Sequence, residues 1–144
     1  GLDVGVYFFS QAITVEEAAE EAEFVLRYLE GYELTYPVVF DWEVIGTEEA
    51  RTYGLDTETL CACANTFCSM VEEAGYEAMI YLTSYAGYIK YDLSQVMEYD
   101  FWLAQYSDTP DFYYDFQMWQ YSSTGSVDGI SGDVDLNLQL IQKE

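Results

Sequence analysis

Apolar runs and apolar-periodic stretches alternate along this chain. Val4 to Phe9 (VGVYFF) is β-branched and aromatic, the composition of a buried strand. Thr14-Val15-Glu16-Glu17 then reads as a capping box, with Val15, Ala18, Ala22, Val25 and Leu29 at helical spacing and Gly31 as the stop. Pro37 precedes a second apolar run, Val38-Val39-Phe40, which ends in Asp41-Trp42-Glu43. Asp56 is placed to cap a second helix with Leu60, Ala64, Phe67, Cys68 and Val71 on its apolar face and Gly75 closing it.

Ala78 to Thr83 (AMIYLT) predicts a third strand, followed by a short helix or turn over residues 85–89. Phe101 to Tyr106, Phe116 to Tyr121 and Val134 to Leu138 predict three more. The early strands are joined by helices long enough for parallel crossovers. The last three are joined by short polar connections, which predicts antiparallel or irregular pairing among them. No internal repeat or flexible linker interrupts the pattern, so residues 1–144 are expected to form a single α/β unit.

Charge narrows the partners. Twenty-seven acidic residues face four basic ones (Arg27, Arg51, Lys90, Lys143), a net charge of −23, and there is no histidine. Nucleic-acid binding and adhesion to an anionic membrane both need clustered Lys and Arg, so neither is expected. Without His there is no Ser-His-Asp triad and no His-ligated metal, which leaves acid–base work to carboxylates, tyrosines, cysteines or a lysine. The 15 tyrosines with Trp42, Trp102 and Trp119 make an aromatic, acidic surface that suits neutral sugars and would equally serve an acidic domain with a Tyr-rich core. Cys61, Cys63 and Cys68 fall on one helix at spacings unsuited to a disulfide, so they are read as reduced packing thiols. No leader-like segment is visible; the chain starts at Gly1 rather than Met, so trimming could have removed one.

Asp41-Trp42-Glu43 is the most informative tripeptide. Residues two apart on a strand share a face, with Cα atoms roughly 6.5–7 Å apart. The pair would sit at the C-terminal end of an apolar parallel strand, the edge where α/β sheets and barrels bind ligands. Two close carboxylates repel, so one pKa should rise, and a neutral acid beside an ionised one is the pairing that glycosidic cleavage uses. Spacing alone also fits two solvated acids at a strand-to-loop junction.

The segments VGVYFFSQAITVEEAAEEA, YPVVFDWE, GYEAMIYLTS, DFWLAQYS and FQMWQYSSTGSVDGISGDVDLN, in that order, resemble glycoside hydrolase family 25, the Chalaropsis-type lysozymes. The resemblance covers nearly the whole chain. It implies a modified TIM-like (β/α) barrel with its last strands partly antiparallel. It also implies hydrolysis of the β-1,4 bond between N-acetylmuramic acid and N-acetylglucosamine in peptidoglycan, a bacteriolytic activity with no cofactor. By resemblance Glu43 is the proton donor and Asp41 the second carboxylate, stabilising the oxocarbenium ion or holding the substrate's acetamido group. The nucleophile is then either that acetamido oxygen or Asp41. Asp135 is a further acid near the site, and Tyr7 and Tyr81 line the groove. Trp102, Gln105, Trp119 and Tyr121 lie in the same motifs, where core packing competes with sugar contact; Gln105 and Trp119 are carried as substrate-binding candidates. Asp133-x-Asp135-x-Asn137 lacks the glycine and the closing glutamate of a calcium loop, and no metal is expected.

Relative to that family, two strand-helix units that would precede VGVYFFS are absent from this sequence. Gly1-Leu2-Asp3-Val4 imitates the motif of the first such unit but reads as the lead into a later strand, so Asp3 is given no role. About six of eight strands predict an incomplete barrel with open edges, a hazard for homo-oligomerisation. The alternative to an enzyme is a non-catalytic glycan-binding module or inactive remnant of the same fold. Either would act outside the cell or at the cell wall, and a phage endolysin origin fits the resemblance.

Overall fold

The computed structural model describes residues 1–141; the remainder of the expected 1–144 unit, including Lys143, lies outside them. Along the chain run β1 (Val6–Phe9), α1 (Val15–Leu29), β2 (Val38–Asp41), α2 (Thr57–Glu73), β3 (Ala78–Thr83), α3 (Ser84–Ile89), β4 (Asp100–Ala104), β5 (Met118–Gly125) and β6 (Val134–Gln139). A 3₁₀ turn at Leu93–Gln95 lies between α3 and β4.

Both long helices start where side chains capture free N–H groups. The Thr14 hydroxyl accepts from Glu17 N at 3.3 Å, and the Glu17 carboxylate accepts from Ile13 N at 2.9 Å while pairing with Arg51. The Asp56 carboxylate accepts from Thr59 N at 2.9 Å. Gly31 and Gly75 follow the helices at φ +83° and +90°, a left-handed turn that side-chain-bearing residues rarely adopt. The buried stripe of α1 is Ala18, Ala22, Val25 and Leu29; Val15 is half exposed at the helix start. That of α2 contains all three cysteines, with free thiols packed beside Leu60, Phe67 and Val71.

The six strands form one sheet in sequence order, parallel from β1 to β5 and antiparallel between β5 and β6. Its two faces follow strand parity. Val38, Phe40, Ile80, Leu82, Phe101 and Leu103 face the helices and form the main core. Val39, Met79, Tyr81 and Ala104 form a second, smaller cluster on the other face, with Trp102 and Met118 packed against it.

That second face is concave. β1 and β4 are three strands apart, about 14 Å in a flat sheet, yet the rings of Tyr7 and Trp102 lie 6.4 Å apart. The Tyr36 hydroxyl likewise donates to Gln139 Oε1 at 2.6 Å, joining the start of β2 to the end of β6. The result is a curled half-barrel whose terminal strands, β1 and β6, each keep one unpaired side among the described residues.

One expectation is corrected. β4 and β5 pair in parallel, with Leu103 opposite Trp119; only β6 is antiparallel. A parallel crossover needs about a dozen residues and is usually helical. Here residues 105–117 make it without a helix, because Phe112, Tyr114 and Phe116 fill the space against the core that a helix would cover. β5 also starts and ends later than the spacing predicts, and register shifts near Gln120–Ser122 and Ser122–Gly125 carry it to Gly125.

Candidate active site

The lumen-facing positions at the C-terminal ends of the parallel strands enclose a cleft of about 230 Å³, lined by Tyr7, Phe9, Asp41, Glu43, Tyr81, Trp102, Gln120 and Asp135. Asp41 is the last residue of β2, flanked in register by Phe9 of β1 and Tyr81 of β3. Its backbone oxygen accepts from Ser10 N at 2.7 Å, which ties the loop after β1 to the end of β2. Ser10 is held in turn: its hydroxyl donates to Glu21 at 2.6 Å, and the same carboxylate accepts from Gln11 N at 2.9 Å.

Glu43 lies two residues further on, past the end of the strand. Trp42 between them is buried in the main core, edge-on to Tyr91. Driving Trp42 inward is what turns both neighbours toward the cleft.

The cleft is electrostatically frustrated. Asp41 is buried, and its Oδ1 has no hydrogen-bond partner. Desolvation, then the nearby Glu43 and Asp135 carboxylates, push its pKa from the ordinary 3.8 up to about 7. Desolvation and Asp135 also raise Glu43. The expectation that one carboxyl would rise is met, and the larger rise falls on Asp41, which is buried deeper and unpartnered. Asp41 and Glu43 are coupled through their charges, with Asp41 the preferred holder of a proton while the cleft is empty.

Aromatic side chains make the walls. Tyr81 packs edge-on against Trp102 at 5.2 Å, and burial raises its phenol strongly. Trp102 Nε1 donates to Asn137 of β6 at 2.9 Å.

Of the residues expected at the site, Asp41, Glu43, Asp135, Tyr7 and Tyr81 come together in the cleft, and Gln105 and Trp119 do not. Trp119 shares the face of Leu103 and packs against the main core, its Nε1 donating to Gln105 O at 2.8 Å. The Gln105 amide is used locally, bonded to the side chain and backbone of Asp111. The pair braces the β4–β5 crossover. In their place stand Trp102 and Gln120, along with Phe9. The signal for Gln120 was strand parity: a polar residue sharing a face with Met118 rather than Trp119.

This is the architecture of an incomplete α/β barrel with an acidic cleft at its strand C-termini, and residues 1–130 match the glycosyl hydrolases family 25. The chain belongs to that family. It is 28% identical over 139 residues to the autolytic lysozyme of Clostridium acetobutylicum, a match covering 95% of this chain and 39% of the relative. A family 25 glycosyl hydrolase from Bacillus anthracis superposes with a TM-score of 0.78 at 24% identity, covering 99% of this chain and 66% of that one. The bacterial lysozyme of Streptomyces coelicolor gives 0.70 at 25% identity, covering 94% and 66%. The chain spans less than half the length of the curated relatives it matches.

Proposed function

We propose that this chain is a peptidoglycan hydrolase of the muramidase type, cleaving the β-1,4 bond after N-acetylmuramic acid, with residues 1–144 as its catalytic unit. The observation that carries this is the convergence of Asp41, Glu43 and Asp135 on one aromatic-walled cleft at the strand C-termini.

Glu43, half-buried and raised, protonates the departing glycosidic oxygen and then activates water. Asp41 stabilises the positive charge that develops on the sugar. An N–H donated by the substrate to the Asp41 carboxylate favours its ionised form, so the shared proton moves to Glu43 as the cleft fills. Asp135 keeps both carboxyls raised, and Tyr7, Tyr81 and Trp102 offer faces to the sugar ring.

Support for the substrate class comes from the relatives. Solved neighbours include an autolysin from Streptococcus pneumoniae in complex with a synthetic peptidoglycan ligand. By the same likeness, the site of action is the cell wall, reached from outside the cell or from a phage-infected host. Open edges at β1 and β6 are where a second copy would pair.

The test is Glu43→Gln, which keeps the shape and removes the proton. Release of new reducing ends from purified peptidoglycan should fall by at least roughly 100-fold, with the circular dichroism spectrum unchanged. Activity within a few-fold of wild type would reject the assignment.

A further inference from the structure

Gln120 is a buried amide side chain that lines the cleft and is held in a single orientation. It sits on the lumen face of β5, in register with Ala104 of β4 and Asn137 of β6. Two phenols converge on its carbonyl oxygen. Tyr81 of β3 donates to Gln120 Oε1 at 2.9 Å, and Tyr106, just after β4, donates to the same atom at 3.0 Å. Both acceptor positions of that oxygen are thereby filled, so the NH₂ end is the one left for other partners. Gln120 Nε2 makes no hydrogen bond among the described residues.

Everything else around the cleft is short of donors. Asp41, Glu43 and Asp135 are acceptors when ionised. Tyr81 spends its hydroxyl on Gln120, and Trp102 spends its N–H on Asn137. Tyr7 has a free phenol but is largely exposed at the sheet edge. Sugar hydroxyls suit such a cleft because they can donate to carboxylates. A carbonyl oxygen cannot donate, and apart from the one proton that Asp41 and Glu43 share, the fixed donor it meets inside the cleft is an N–H. The free N–H of Gln120, held in place by two phenols, thus offers a fixed donor to an acceptor-only group of a sugar.

We propose that Gln120 is a substrate-specificity residue whose Nε2–H binds the acetamido carbonyl oxygen of an N-acetylated sugar, with Tyr81 and Tyr106 fixing the amide for that purpose. The inference rests on the glycan-cleft reading above and adds which side chain receives the acetamido oxygen. Tyr106 is a positioning residue; it acts through Gln120.

The experiment compares two neutral trisaccharides, N,N′,N″-triacetylchitotriose and cellotriose, which carries a hydroxyl in place of each acetamido group. In ¹H–¹⁵N spectra of the wild-type chain, the Gln120 side-chain NH₂ peaks should move with the acetylated sugar and stay in place with cellotriose. Gln120→Glu keeps an acceptor for both phenols and loses the donor. It should weaken the acetylated sugar about tenfold and change cellotriose less than twofold. NH₂ peaks that stay put with the acetylated sugar, or a variant that binds both sugars as the wild type does or loses both equally, would overturn the proposal. Reducing-end release from peptidoglycan is scored separately on the wild type: its absence removes the hydrolase reading alone, since the sugar comparison still decides Gln120.

Discussion

Asp41→Asn should make this protein more stable and less active at once, by an amount that depends on pH. The Asp41 carboxyl is raised from 3.8 to about 7 by burial and by its two acidic neighbours. An acid whose pKa is raised on folding destabilises the native state wherever it must ionise. The penalty is absent below pH 3.8, grows up to about pH 7 and is complete above it. At 1.36 kcal/mol per pKa unit, that gap corresponds to about 4 kcal/mol as an upper bound. The unfolded chain carries the same excess of negative charge, which raises the reference pKa, and water reaches the cleft, so about 2 kcal/mol is the expected effect. Asparagine is nearly isosteric, and the lost Oδ1 had no partner to leave behind. In urea unfolding at fixed ionic strength, the variant should match the wild type near pH 4 and exceed it by about 2 kcal/mol at pH 8. Equal stabilities at pH 8, or a gain that is the same at both pH values, would refute the claim that Asp41 is ionised against its surroundings.

Other expected outcomes follow from the same geometry. Asp135→Asn removes a charge that raises both Asp41 and Glu43. The alkaline limb of the pH–rate profile should therefore move down by roughly half a pH unit, read from initial rates of peptidoglycan clearing. Gln105→Ala should lower stability by about 1 kcal/mol in urea titrations and leave KM unchanged, because its amide holds the β4–β5 crossover and not the cleft.

The helices and the early strands were legible because their signals are local. Thr14 and Asp56 cap where the pattern placed them, and the α2 stripe is buried as the spacing required. The carboxylates were legible for a related reason: a buried tryptophan between two acids leaves both pointing the other way. What stayed open was the parity of β5. Met118, Trp119 and Gln120 occupy alternate faces, and a one-residue slip exchanges core for cleft. The resemblance carried Trp119 as a sugar-facing candidate with core packing in competition, and it packs against the main core. The parallel β4–β5 pairing was hidden because its crossover carries no helix, only three aromatic residues in coil that do a helix's packing.

The end of β2 sets a difference of tether between the two principal acids. Asp41 is clamped by ladders on both sides and by Ser10 across its carbonyl, so its position follows that of the whole sheet. Glu43 rides on the first span of a long connection to α2 and is free of any ladder. Any ligand in the cleft thus meets one acid anchored to the sheet and one carried on a loop, and insertions or deletions in residues 44–56 would shift the second while leaving the first where it is.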